Sequence, residues 1–173
     1  MLSSGIVIPV VDLGPYLAAR PGASAATAAE LGRALQDVGF FVVVNHGVSQ
    51  TLIDDTFAEA RRFHAQPADA KLALRMNEHN NGYMMLGRYA VWTSDVNAND
   101  KPDLNEAFFV KRERGPDDPL VRAGRRFAGP NQWPAHLPGF REAVLAYTAA
   151  VDALGQALAA LCDGARPAPD RVR

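Results

Sequence analysis

The side chains able to do metal or acid–base chemistry in this sequence are few and scattered. Four histidines, His46, His64, His79 and His136, and one cysteine, Cys162, occur among 173 residues. A metal site needs several imidazole, thiolate or carboxylate groups converging on one point. His64 and His79 with Asp69 or Glu78 come nearest to such a set. His64, however, falls at a predicted helix end and His79 in a polar loop, so both read as solvated surface. His46 follows an apolar run, where an imidazole is ordinarily satisfied by nearby backbone. Cys162 has no neighbouring base to activate it. The better claim to function belongs to Tyr83, Met84, Arg88, Tyr89 and Trp92. Aromatic and guanidinium groups on an irregular, glycine-containing segment suit a binding lid. Tyr83, Arg88 and Tyr89 are therefore the candidate substrate-proximal residues. The competing reading is that Tyr83 and Trp92 pin a long loop to the core. No catalytic and no metal-ligating residue is assigned.

The elements that must position these groups follow from periodicity. Residues 6–13 form a β-branched run containing Pro9, which suits an edge strand because proline cannot donate to a ladder. Thr27 and Glu30 have capping-box spacing, and Leu31, Leu35 and Val38 then share one helical face. Gly39 can end that helix at a positive φ. Residues 40–45 are continuously apolar up to Asn45 and read as a strand buried on both faces. Asn45 and Gly47 shape the turn that follows. Ser49 can cap a second helix that turns Leu52, Ile53, Phe57, Ala60 and Phe63 inward. Pro67 suits the first turn of a short third helix reaching about Arg75. Residues 77–101 read as irregular, residues 106–110 as a strand and residues 115–134 as loop. Leu137, Phe140, Val144, Tyr147, Val151, Leu154, Leu158 and Leu161 recur at alternating steps of three and four, which predicts a long amphipathic helix. Trp133 and Phe140 are read as core. Pattern is lost after Leu161, so residues 1–161 are expected to form one domain and residues 162–173 an irregular or disordered tail.

Composition narrows the class. The chain is 48% hydrophobic and 21% charged, which indicates a globular domain. A net charge of -1 gives no electrostatic reason to expect nucleic acid or an anionic membrane as partner. One cysteine excludes an internal disulfide framework and fits a reducing compartment. The first residues lack the charge and apolar run of a signal peptide, and no apolar stretch approaches about 20 residues. The expected location is cytoplasmic.

Taken in order, the segments resemble the N-terminal domain of the isopenicillin N synthase-like, iron(II)- and 2-oxoglutarate-dependent dioxygenases. Ile8-Pro9-Val10-Val11-Asp12-Leu13 is similar to the family's opening strand. Gly39-Phe40-Phe41-Val42-Val43-Val44-Asn45-His46-Gly47-Val48 resembles its N-terminal signature. Phe63, Pro67 and Lys71, then Gly82-Tyr83, Asn105-Glu106-Ala107-Phe108, Asn131-Gln132-Trp133-Pro134 and Leu137-Pro138-Gly139-Phe140-Arg141, follow in the family's order. The resemblance covers residues 6–161.

It implies a mixed α/β (α+β) fold, with helices packed on a few strands that in relatives extend a jelly roll, the double-stranded β-helix. It also implies oxidation of a small molecule with iron(II) and 2-oxoglutarate as cofactors, and a segment after Gly82-Tyr83 that covers the barrel mouth. The family holds iron with a His-x-Asp pair and a distant His, and the co-substrate with an Arg-x-Ser pair. No histidine here precedes Asp or Glu by two places, and no arginine so precedes serine. The jelly-roll core is therefore expected to be largely missing and the chain inactive by itself, with no cofactor bound. Three explanations stay open: a truncated gene product, a single-domain binding or regulatory protein derived from the scaffold, or one subunit of a split dioxygenase. The expected partners are a small-molecule substrate, a separate C-terminal jelly roll or further copies of this chain. Neither nucleic acid nor membrane is expected.

Overall fold

The computed structural model describes residues 7–87 and 101–165. They divide into two compact units, Met1–Gln50 with Tyr147–Arg173, and Thr51–Ala146. The expected mixed α/β class is observed: short two-stranded sheets carry helices, and no larger sheet forms among the described residues.

In the first unit, β1 (Val10–Asp12) pairs in parallel with β2 (Val42–Val44), with Val10 opposite Val42 and Asp12 opposite Val44. After β1 the chain passes through the single turn α1 (Gly14–Leu17) into α2 (Ala23–Asp37). Parallel strands need such a crossover, and the alanine-rich sequence of α2 supplies a strong helix former. The predicted capping box at Thr27 is not used. The alanine run carries the helix upstream to Gly22, which caps it at φ 75°, while Thr27 lies inside α2 and is buried. Gly39 ends the segment at φ 91°, as expected.

Val11, Leu13, Ala28, Leu31 and Leu161 form this unit's core, with Phe41, Val43, Leu154 and Leu158 packed on it. Gly32 allows the approach of Ala165, whose Cβ would lie 3.3 Å from an added Cβ. The expectation that β2 is buried on both faces is corrected. Two strands offer one covered face, so Val43 turns inward while Val42 is 48% and Val10 54% exposed.

The second unit is built on α3 (Gln50–His64), the short α4 (Ala68–Leu72), an antiparallel pair and the start of a long helix. β3 (Gly82–Met84) lies within the segment predicted to be irregular, which is a second correction. It pairs with β4 (Ala107–Phe109), setting Tyr83 opposite Phe108 and Met84 opposite Ala107. Local signals for β3 were weak because three residues cannot show a period. Its ladder is completed from outside: Tyr83 N–H donates to Leu74 O at 2.7 Å, and Met76 N–H donates to Tyr83 O at 2.9 Å.

Phe63, Tyr83, Leu137 and Phe140 form the core, with Leu74, Phe108, Trp133 and Val144 against them. Trp133 and Phe140 are core residues, as read from the sequence. Of the α3 residues predicted to face inward, Phe63 is buried but Phe57 is 62% exposed. The predicted loop at 115–134 also contains one turn of helix, α5 (Pro119–Arg122), capped by Asp118 through Leu120 N–H.

α6 (Phe140–Gly164) realises the long amphipathic pattern. It continues past Leu161, so the expected boundary there is moved: Leu161 is buried and Cys162 and Ala165 pack beside it. By length and composition alone α6 could cross a bilayer, contrary to the expectation of no such stretch. Phe140 and Leu161, near its two ends, are buried in protein cores, whereas only 6% of its most apolar stretch is buried.

Candidate functional site

Alternation along β3 and β4 sorts their side chains onto two faces. Tyr83 and Phe108 point to the core of the second unit, where the Phe63 and Phe108 ring centroids are 4.4 Å apart. Met84 and Phe109 belong to the other face. There, with Met76, Asn80, Asn105 and Lys111, they line a recess of about 440 Å³. Phe109 is 41% exposed, a large apolar ring on the wall of an open hollow. The recess combines two thioethers and a phenyl ring with two carboxamides and one amine. Thioethers adapt to irregular or aromatic guests, and the polar groups can orient an edge bearing acceptors.

The chain around β3 and β4 is held by polar contacts. Asn81, fully buried, donates through Nδ2 to Gly129 O at 3.0 Å and Pro130 O at 2.9 Å. Gln132 Nε2 donates to Arg75 O at 3.0 Å and Asn81 O at 2.8 Å. Gly82, at φ 107°, leaves no room for a side chain, since an added Cβ would collide with Gln132 and Leu74 O. Asn131 continues β4 without being a strand residue: its Oδ1 accepts from Lys111 N–H at 2.9 Å and its Nδ2 donates to Lys111 O at 2.8 Å. The Lys111 ammonium donates to His79 O and lies 4.2 Å from the Phe127 ring centroid.

Behind the strands, Glu106 gathers three elements on one carboxylate. The Tyr83 hydroxyl donates to Oε2, and Lys71 Nζ donates to the same oxygen at 3.0 Å. Lys71 Nζ also donates to His64 O at 3.1 Å, and His64 Nδ1 lies 3.1 Å from Glu106 Oε1. The hydrogen bonds from Tyr83 and then Lys71 stabilise the ionised form and hold the Glu106 carboxyl down at about 2. Lys71 is raised by its bond to Glu106. Burial first, and then the bond to Glu106, raises the Tyr83 phenol. The three groups are thus locked as carboxylate, ammonium and neutral phenol at ordinary pH. A fixed protonation pattern suits positioning, not proton transfer.

Of the predicted substrate-proximal residues, Tyr83 is 5% exposed, packed in the core with its hydroxyl on Glu106. That geometry matches the structural reading of Tyr83. Arg88 and Tyr89, together with Trp92, lie outside the described residues. Sequence reasoning named Met84 within this segment but did not single out Phe109 or the Glu106 cluster. The available signal was a pair of adjacent apolar residues on each strand, Tyr83-Met84 and Phe108-Phe109, of which only one per pair can face a core.

The histidines do not converge. His46 Nδ1 accepts from Val48 N–H at 3.2 Å, in a turn where Asn45 and Gly47 take positive φ. Asn45 Nδ2 donates at 2.8 Å to Asp12 Oδ1, which also accepts from Gly14 N–H, so that motif ties the turn to β1. His64 faces Glu106, and the His79 ring packs on Gly129. No three His, Cys, Asp or Glu side chains form a metal-holding group among the described residues. The described residues therefore do not fit iron(II).

Residues 8–136 match the family model described as the non-haem dioxygenase in morphine synthesis N-terminal region. Kihadalactone A synthase of Citrus sinensis is 32% identical over 157 residues, covering 90% of this chain and 45% of that protein. A 2-oxoglutarate-Fe(II) type oxidoreductase of Emericella nidulans is 30% identical over 148 residues, covering 83% and 41%. The fold is similar to that of a full-length Neurospora crassa protein solved in complex with alpha-KG, with a TM-score of 0.72 at 24% identity, over 95% of this chain and 49% of that one. The chain belongs to the 2-oxoglutarate- and iron(II)-dependent dioxygenase family and corresponds to its N-terminal region. It spans about half the length of these relatives.

Proposed function

We propose that this chain is the N-terminal part of an oxygenase acting on a small molecule, and that the outer face of β3–β4 is one wall of its substrate space. The recess lined by Met76, Met84 and Phe109 carries this reading. It is the described hollow of about 440 Å³ whose wall mixes apolar contact with a few polar groups, as substrate sites do. The iron-holding jelly roll is supplied by sequence outside these residues, in the same polypeptide or in a second subunit. Iron(II), when held there with 2-oxoglutarate, supplies oxygen activation; this chain supplies shape and apolar contact. By itself the chain does not turn over.

The partner's docking surface is the bare face of β1–β2. Val10, Phe40, Val42 and Val44 are all more than one-third exposed there, on a sheet of only two strands. A jelly-roll sheet packed on that face would cover it, and the relatives are about twice as long as this chain. Without that cover, the same face drives self-association.

Two measurements test this reading. Naphthalene-2-sulfonate, a flat ring with an anionic edge, is the probe for the recess. Its titration should shift the methyl resonances of Met76 and Met84, and Met84→Ala should weaken it about tenfold. Unmoved methionines would remove the recess from the substrate path. Anaerobic titration with iron(II) should show no one-to-one complex; a complex of micromolar or better affinity, lost in His46→Ala, would overturn the assignment of metal binding to the partner.

A further inference from the structure

Glu106 stands immediately before β4, and Tyr83 immediately before Met84. Glu106 therefore occupies the junction at which the inner face of the hairpin is tied and its outer face begins. The Tyr83 hydroxyl and Lys71 Nζ share Glu106 Oε2, and Lys71 Nζ is tied in turn to the carbonyl that ends α3. Core packing alone does not fix the height of a three-residue strand, because apolar contact is not directional. Charge-assisted hydrogen bonds are directional and short.

We propose that Glu106 is a specificity-determining positioning residue, which through Tyr83 and Lys71 sets how far Met84 and Phe109 stand into the recess. This rests on the recess being a ligand wall. Glu106 itself is not among the residues lining that recess, so it acts through the backbone of both strands. Lys71 lies 5.2 Å from the Tyr83 ring centroid and so braces the ring as well as the hydroxyl's partner. The neighbouring charged and titratable groups are His64 from α3, Lys71 from α4 and Tyr83 from β3.

A role in stability alone and a role in positioning predict different outcomes. The full chain is titrated with two probes of different length, naphthalene-2-sulfonate and biphenyl-4-sulfonate, well below the melting temperature of each variant. Met84→Ala reports on the recess, while Glu106→Gln and Tyr83→Phe report on the anchor. Positioning requires both anchor variants to change the affinity ratio of the two probes by about threefold or more, with the Met84 methyl resonance displaced in the free protein. If Met84→Ala alters binding while the anchor variants melt earlier yet keep the wild-type ratio and Met84 shift, the proposal is overturned and the recess stands. If Met84→Ala leaves both affinities unchanged, the recess reading fails and this proposal falls with it. Tyr83→Phe changes one hydroxyl and keeps the ring, so it serves should Glu106→Gln fail to fold.

Discussion

The two strand pairs of this protein expose apolar side chains for different reasons. β1–β2 carries Val10, Val42 and Val44 on its open face, with Phe40 beside them and Asp12 at one end, and that face is an uncovered piece of sheet. Among the described residues it has a side-chain polar tie at one end, where Asp12 accepts from Gly14 and Asn45; the Asn45 bond, then the Gly14 bond, lowers the Asp12 carboxyl. β3–β4 has only three residues a side as well, yet its inner face is pinned by Glu106 and its flanks by Asn81, Asn131 and Gln132. Its open face is a concave wall, not a plain surface. An apolar face with no anchors suits a large partner that supplies its own geometry. One with a rigid polar backing can hold a shape for a small ligand.

The comparison breaks most easily at Phe63, on which the backing of β3–β4 converges. Phe63→Ala removes a ring in contact with Tyr83, Phe108 and Phe140 and is expected to cost about 3–5 kcal/mol. Chemical denaturation measures this. A loss under about 1 kcal/mol would mean the aromatic cluster is loosely packed and cannot stiffen the wall.

Acid sharpens the contrast. Glu106 titrates near 2 in the folded chain against 4.5 ordinarily. A depressed carboxyl stabilises the fold where it is ionised, so its contribution is complete above about 4.5 and fades as pH falls towards 2. At a side chain about one-third exposed, screening reduces this to roughly 1–2 kcal/mol. Glu106→Gln should flatten that acid limb of a melting-temperature profile. An unchanged limb would show that Glu106 is not the group holding the second pair together.

The smallest effect on stability is expected on the other pair. Val42→Thr keeps the β-branched shape on an exposed position and should alter stability by no more than about 0.5 kcal/mol. Sedimentation velocity should nevertheless show weaker self-association, because the apolar face is interrupted. A marked drop in stability with association unchanged would mean that this face is already covered within the folded chain.

The sequence by itself determined the long helices α2, α3 and α6 and the turn after β2, but not the single turn α5. α6 was legible because seven apolar residues from Phe140 to Leu161 keep one period over many turns, and the Asn45–Gly47 turn because its residue types tolerate positive φ. The order of motifs identified the family, which fixed the kind of fold. What the sequence could not decide was which side of a short strand is covered. Residues 40–45 are apolar at nearly every position, so their pattern is the same whether one face or two are buried. The direction of Tyr83 was not readable: its ring lies in the core with its hydroxyl on Glu106, while the neighbouring Met84 lines the recess. The Glu106 anchor joins residues 23 and 35 positions apart, and no local period encodes such a meeting. Only tertiary structure brings those donors to one carboxylate, because Lys71 lies on α4, Tyr83 on β3 and Glu106 just before β4.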